Sequence, residues 1–305
     1  MKKILIASTA LVMFAGAASA DVAWSGFGRF GIVYDDAAGT DITYLEQRFQ
    51  LDVVGTTETD NGLTVGGRYR LRSEEQKAGN DAGAPGYVRQ TAAGTVNAAQ
   101  MFIQSGGLEL SVGNVQYALD SMANLAAGNI GLQNFTSFLD GPAYASRGAS
   151  PTGLALTYAM GGLNAHLSYD TEAQATDAYV SYDFAGYTFG VGGQDSDAYT
   201  TDWVVAVGGT VGTAKFNASY VNDGTNGTGG VGGGYAVAAH FDVASGLTVG
   251  GYLTYFDSDT AGVDSATGLG VDASYALGGG VNLVGGVYGT DDDKTEADFG
   301  INFRF

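Results

Sequence analysis

The chain has 305 residues, with 13 Lys+Arg against 32 Asp+Glu, a formal charge of −19, 50 glycines, three prolines and no cysteine. So acidic a chain repels nucleic acid, which needs a basic footprint, and it has no thiols to staple a small core with disulfides. The glycine content argues against a helix-rich enzyme and for strands joined by tight turns.

Residues 1–20, MKKILIASTALVMFAGAASA, begin with Lys2 and Lys3, continue apolar from Ile4 to about Gly16 and finish with Ala18-Ser19-Ala20. These are the three regions of a secretory signal, with cleavage expected before Asp21. The apolar run is short of the ~20 residues that a spanning helix needs. Removing it takes two lysines and no acid, so residues 21–305 carry 11 basic and 32 acidic residues, net −21. No apolar run of 18 residues follows, so the mature chain is expected to have no transmembrane helix.

From Asp21 onward, apolar and polar residues alternate in short segments, the period of a β-strand. VAWSGFGRFGIVYD places Val22, Trp24, Phe30, Ile32 and Tyr34 on one face, with Ser25 and Arg29 on the other. EQRFQLDVV sets Phe49, Leu51 and Val53 opposite Arg48, Gln50 and Asp52. Sixteen such segments follow one another, the last being ADFGINFRF, where Phe299, Ile301, Phe303 and Phe305 oppose Asp298, Asn302 and Arg304. Seven connections are short and small, such as Gly161–Gly162 and Val211–Gly212. The eight between them are expected to be longer and polar, an asymmetry typical of outer-membrane barrels.

A soluble sandwich also alternates with period two, and the aromatics distinguish the two folds. Tyr34, Tyr169, Trp203, Tyr220, Tyr235 and Tyr255 fall at one end of the apolar faces; Trp24, Tyr158, Phe184, Tyr187, Phe241, Tyr275 and Phe305 fall at the other. Two belts separated by smaller apolar residues fit two lipid–water interfaces. The expected fold is all-β, a 16-stranded antiparallel transmembrane barrel. At that size an aqueous lumen remains, and closure leaves no unpaired edge in hydrocarbon.

LTVGGRYRLRS (63–73) holds Arg68, Arg70 and Arg72 on alternate positions, three of only eight arginines. On the lipid side each would cost about 2–4 kcal/mol near the midplane, so they are expected to point inward. Spaced roughly 7 Å apart, they form a ladder about 13 Å long. Arg29 and Arg48 share the inward face of neighbouring segments, and closure of the barrel brings Arg304 beside them. Such a cluster calls for water and opposing carboxylates. Their expected source is the longest connection, about residues 114–152, which has no strand pattern and is unusually apolar (Leu119, Met122, Leu125, Leu132). A segment of that kind needs somewhere to pack, so it is expected to fold into the lumen. Its acids Asp120 and Asp140, with Glu109 just before it, would then face the arginines.

The signal, the sixteen segments, the long loop after the fifth, the arginine wall and the terminal phenylalanine resemble the general porins of Gram-negative bacteria. SVGNVQYALDS and the acidic, glycine-rich composition look most like the alphaproteobacterial, Rhodobacter-type branch. The resemblance spans the mature chain, although the Pro-Glu-Phe-Gly motif of the enteric branch is absent. It implies a passive outer-membrane channel for ions and small hydrophilic solutes, surrounded by outer-membrane lipid and lipopolysaccharide and assembled as a homotrimer. It also implies that the loop carrying Asp120 and Asp140 forms a constriction against Arg29, Arg48, Arg68, Arg70 and Arg72. NFRF at the terminus resembles the signal read by the outer-membrane assembly machinery.

The remaining constellations are weaker. His166 and His240, the only histidines, fall on inward faces without a metal-ligand or nucleophile pattern. GTDDDK (289–294) is an acid run at a loop tip, where carboxylates would bind calcium only loosely. No cofactor is expected, and the chain does not read as an enzyme. Two alternative functions stand beside the general channel: a substrate-selective channel, and a plugged structural or adhesion barrel.

Overall fold

The computed structural model describes residues 20–36, 42–76, 90–91, 95–96, 98–125, 131–132, 153–172, 174–196, 199–222, 231–258, 265–291 and 293–305. Sixteen antiparallel strands form one closed sheet among these residues. They begin with β1 (Asp21–Asp35), β2 (Ile42–Glu58) and β3 (Thr64–Gln76). β4 runs in three pieces, Gln90–Thr91, Thr95–Val96 and Gln100–Ser105, all paired with β3. Then come β5 (Leu108–Gly113), β6 (Gly153–Met160), β7 (Leu163–Asp170), β8 (Ala175–Phe184) and β9 (Tyr187–Ser196). β10 (Tyr199–Val211), β11 (Ala214–Asn222), β12 (Val231–Ala244) and β13 (Leu247–Ser258) continue the wall. β14 (Ala266–Gly278), β15 (Val281–Thr290) and β16 (Thr295–Arg304) complete it.

Each strand pairs with its neighbours in the chain, and β16 closes on β1 from Phe27↔Arg304 to Asp35↔Glu296. Against β3 the register of β4 steps by one residue at each break, from Glu75↔Thr91 to Leu71↔Val96 to Arg68↔Gln100. Each step leaves one more residue on β4 than on β3 between the paired pieces.

The burial pattern is that of a soluble protein turned inside out. Trp24, Phe184, Leu269 and Phe299 are about 60% exposed, while Ser168, Asp177 and Thr254 on the alternate positions are at most 2% exposed. Such a surface is stable only in hydrocarbon, with the polar face turned to the lumen. The aromatic belts are in place. Tyr235 and Tyr255 stack at 5.1 Å and Trp203 meets Tyr220 at 5.3 Å on one rim; Phe49 and Phe303 lie against Phe305 at 5.8 and 6.0 Å near the other. At the seam Phe303 and Phe305 cover Gly28 and Gly26, whose missing side chains leave room for the rings. Gly26 and Phe305 also exchange two backbone hydrogen bonds, at 2.7 and 3.1 Å.

The connections depart from expectation on the rim of long loops. β7 and β8 are joined by residues 171–174 alone, and β9 and β10 by 197–198. The ladder runs out to Ala175↔Asp170 and Ser196↔Tyr199, so polar residues expected in loops belong to the strands. Loss of the apolar face marks where a strand leaves the lipid, and pairing persists beyond that point. On the other rim the short turns lie as expected, except that β2 runs on to Glu58 before turning.

Candidate functional site

The inner face of β1–β5 carries the basic wall. β3 alternates Arg68 and Arg70, on its inner side, with the outward Tyr69 and Leu71. Arg68 donates from both Nη atoms to the two Glu109 oxygens, each at 2.8 Å, and its guanidinium lies 4.2 Å from the centre of the Phe102 ring. Ser111 supplies a further donor to Glu109 at 2.8 Å. Arg70 donates through Nε to Asp52, its register partner on β2, at 2.9 Å. Arg29 sits directly opposite Arg48, a repulsive pairing. It is relieved by Glu46, 3% exposed, which accepts from Arg29 Nε at 2.7 Å.

Of the expected counter-charges, Glu109 meets Arg68, while Glu46 and Asp52 take the places expected of loop acids. Glu46, Asp52 and Glu109, all on the strands of the wall itself, accept the arginines. Asp120 is exposed and accepts from Gln116 at 3.2 Å, and Asp140 lies outside the described residues. A carboxylate across one strand gap is held within reach of its guanidinium by the sheet, whereas a loop acid must be carried there. Arg48 and Arg72 share the inward register of the wall. Arg304 stands apart at the short-turn rim, with its guanidinium 5.6 Å from the Phe27 ring centre. Glu46 was legible as the inward residue two before Arg48, but its partner was not.

The segment after β5 turns into the barrel. Gly113 has φ +98° and a Cβ there would strike the Ala99 carbonyl, so only glycine makes this turn readily. The chain then runs along the inner wall. Ala118 N–H donates to Ser168 Oγ at 3.0 Å and Leu119 N–H to Asp177 Oδ2 at 2.8 Å, while Ser168 also bonds Asp177. Ser121 Oγ lies 2.7 Å from His166 Nδ1, closing the single 3-10 turn Leu119–Ser121 onto β7. Further on, Ser219 donates to the Leu125 carbonyl at 2.6 Å. Leu132 takes up both sides of its peptide, donating to Asp298 at 3.0 Å and accepting from Arg29 at 3.1 Å.

Glycines of the inner face provide seats. Leu119 lies over Gly192, Met122 over Gly190, Asn124 over Gly208, and Leu132 over Gly31 and Gly300. Leu119, Met122 and Leu125 pack with Val204, Ala206, Val221, Ala236 and Tyr252 from the opposite arc of the wall. At about 1.5–3 kcal/mol for each fully buried apolar side chain, these contacts are a substantial hold on one short segment.

Between the loop's first turn and β3–β8 lies a cavity of about 240 Å³, lined among others by Arg68, Glu109, Gln116, Ser121, Asn164 and His166. The other histidine, His240, contacts Asp272 at 3.1 Å. Ser121–His166 and His240–Asp272 are separate pairs on different strands, so they do not compose a nucleophilic triad. At the long-loop rim, burial disfavours the charged Lys294 amine, but the Glu296 carboxylate at 2.9 Å, with Asp35 near, holds its pKa above the usual lysine value. In the same acid run, the Asp291 carboxylate accepts from Thr267 N–H at 2.7 Å. Among the described residues no three acids or histidines gather as metal ligands.

A closed barrel with an apolar outside, a polar inside and a segment threaded through its lumen defines a transmembrane channel protein. Residues 7–295 match the family of Gram-negative porins, and the chain belongs to that family. The porin of Fuscovulum blasticum is 33% identical over 313 aligned positions, 93% of this chain and all of that protein. The porin of Rhodobacter capsulatus is 45% identical over 60 residues, 19% of each chain. A solved mutant of the Rh. blastica porin has the same fold with TM-score 0.76 and 25% identity, covering 93% of this chain and 100% of that one. A triple mutant of the Rhodopseudomonas blastica porin gives TM-score 0.74 at 24% identity with the same coverage. The protein is thus an outer-membrane channel and not an enzyme.

Proposed function

We propose that this porin passes ions and small hydrophilic solutes passively, and that the 114–152 loop narrows the lumen against Arg29, Arg48, Arg68, Arg70 and Arg72. The observation that carries this reading is Leu132, whose peptide bonds both Asp298 and the wall residue Arg29. Leu132 thus lies within the lumen beside the basic wall. A polar solute passing such a wall exchanges one polar shell for another, while an apolar one must disturb ordered water. Charge lining a pore also sets ion preference. The acid excess, together with buried inward acids such as Asp170, Asp272 and Asp298, favours cations.

Purified protein in a planar bilayer tests the channel directly: stepwise, ohmic conductance is expected, and a silent barrel would favour the plugged structural reading. The same proposal includes removal of residues 1–20, supported by the start of β1 at Asp21. It also includes assembly as a trimer in lipid and lipopolysaccharide, supported by family membership. The second long connection carries Lys77 and Arg89 and would reach a neighbour; both residues lie outside the described ones. Native mass measurement in mild detergent is expected to give three chains per particle. No cofactor enters this function, and any calcium at the 289–294 run would be incidental to it.

A further inference from the structure

We infer that the cavity beneath the loop's first turn is a binding subsite for an uncharged, polyhydroxylated solute of monosaccharide size. The inference rests on the barrel being an open channel. The cavity lies on the short-turn side of the Leu119–Ser121 turn, since Asn164 on its floor follows the β6–β7 turn by two residues. A solute that has passed the loop reaches it next.

Its electrostatics select against ions. Among its described lining residues Arg68 and Glu109 are the only acid and base besides histidine, and each is spent on the other through two 2.8 Å bonds. The Arg68 guanidinium face is further occupied by Phe102. His166 uses Nδ1 on Ser121, and its buried Nε2 has no hydrogen-bond partner. The paired Arg68 and Glu109 together offer no net charge to an anion or a cation.

What remains is neutral and polar. Thr157, Gln100 and Asn164 present hydroxyl and amide groups that both donate and accept, the combination that matches vicinal hydroxyls. Nε2 of His166 is a polar atom that the fold itself does not satisfy, on a residue only 7% exposed. Tyr179, whose ring meets His166 edge to face at 6.0 Å, lines the same space and supplies an apolar flank for the C–H face of a sugar ring. About 240 Å³ is just under the roughly 300–1,000 Å³ typical of sites for drug-sized ligands, so one sugar ring is the natural occupant.

The test is ion-current noise of the full protein in a planar bilayer, with D-glucose or L-arabinose added and a polyethylene glycol of matched size as control. The sugars are expected to add reversible current fluctuations that saturate with concentration, and the glycol to lower conductance without saturation. The double variant Thr157→Val with Asn164→Ala removes two neutral hydrogen-bonding groups. It is expected to raise the half-saturating sugar concentration roughly tenfold. A conducting channel with no saturable sugar response overturns the subsite and leaves the channel standing. An equal response to the glycol overturns it as mere obstruction. A protein that never conducts overturns the channel and the subsite together. The comparison of sugar with glycol uses the unaltered chain, so it decides the matter even if the double variant does not fold.

Discussion

Arg68, Arg70 and Arg29 each have a carboxylate from their own wall, and this determines what removing them would do. Deleting Arg70 frees Asp52, and deleting Arg68 frees Glu109. Replacing Arg48, Arg68 and Arg70 together by serine therefore removes positive charge and releases negative charge. Conductance is expected to rise, and the zero-current potential in a salt gradient to move further toward cations. If both stay at wild-type values in a folded variant, these arginines do not line the narrow part of the pore. Glu109→Gln alone is expected to shift the potential in the opposite direction, because the Arg68 charge is then unopposed. The alternation of residues 63–73 was enough to place the ladder inside, since no other face tolerates it. That Glu109 faces the arginines was legible, but which carboxylate meets which arginine was not. Asp52 meets Arg70 only through a register set by the β2–β3 turn, and Glu109 reaches Arg68 across the intervening β4.

The loop shows the same division between what composition reveals and what only three dimensions supply. Its leucines and Met122 required a seat, which was readable, but the seat is built from Gly190, Gly192, Gly208, Gly31 and Gly300 on β1, β9, β10 and β16. In sequence these are ordinary strand glycines. Asn124, at φ +65°, lies so close over Gly208 that any Cβ there meets its side-chain amide. Gly208→Val suits strand geometry and keeps the outer face of the barrel, so its effect should fall on the loop alone. Strand content by circular dichroism is expected to be unchanged while conductance changes and open-channel noise increases. Asp177→Ala attacks the other anchor. It leaves Leu119 N–H without its acceptor, at about 1–3 kcal/mol for an unsatisfied group. More frequent current fluctuations are expected there too, and quiet channels in both variants would mean that the loop is held elsewhere.

At the scale of the whole molecule, an acidic barrel stabilises its charges by distributing them differently over its two arcs. Basic residues gather on β1–β3, where Arg29, Arg68 and Arg70 are answered by carboxylates of the same wall, while Asp170, Asp177, Asp272 and Asp298 line the remaining arc and are all at most 7% exposed. Several of those acids hold the loop's backbone or a histidine, so they bear fixed negative charge and structural duty together. A solute in the lumen therefore meets a wall whose arginines are partly neutralised on one side and an acid-lined surface on the other. Cation preference should then come from the long-range field of the whole barrel more than from any single ring. Such a field is screened over about 30 Å at 0.01 M salt and about 3 Å at 1 M. The ratio of cation to anion permeability is accordingly expected to be highest in dilute salt and to fall steadily toward unity as both baths are concentrated at a fixed gradient. Direct coordination of cations by a few lumen carboxylates would instead give a preference that persists at high salt, together with conductance that saturates at low concentration. That pattern would assign selectivity to a local site and overturn the account based on the field of the barrel.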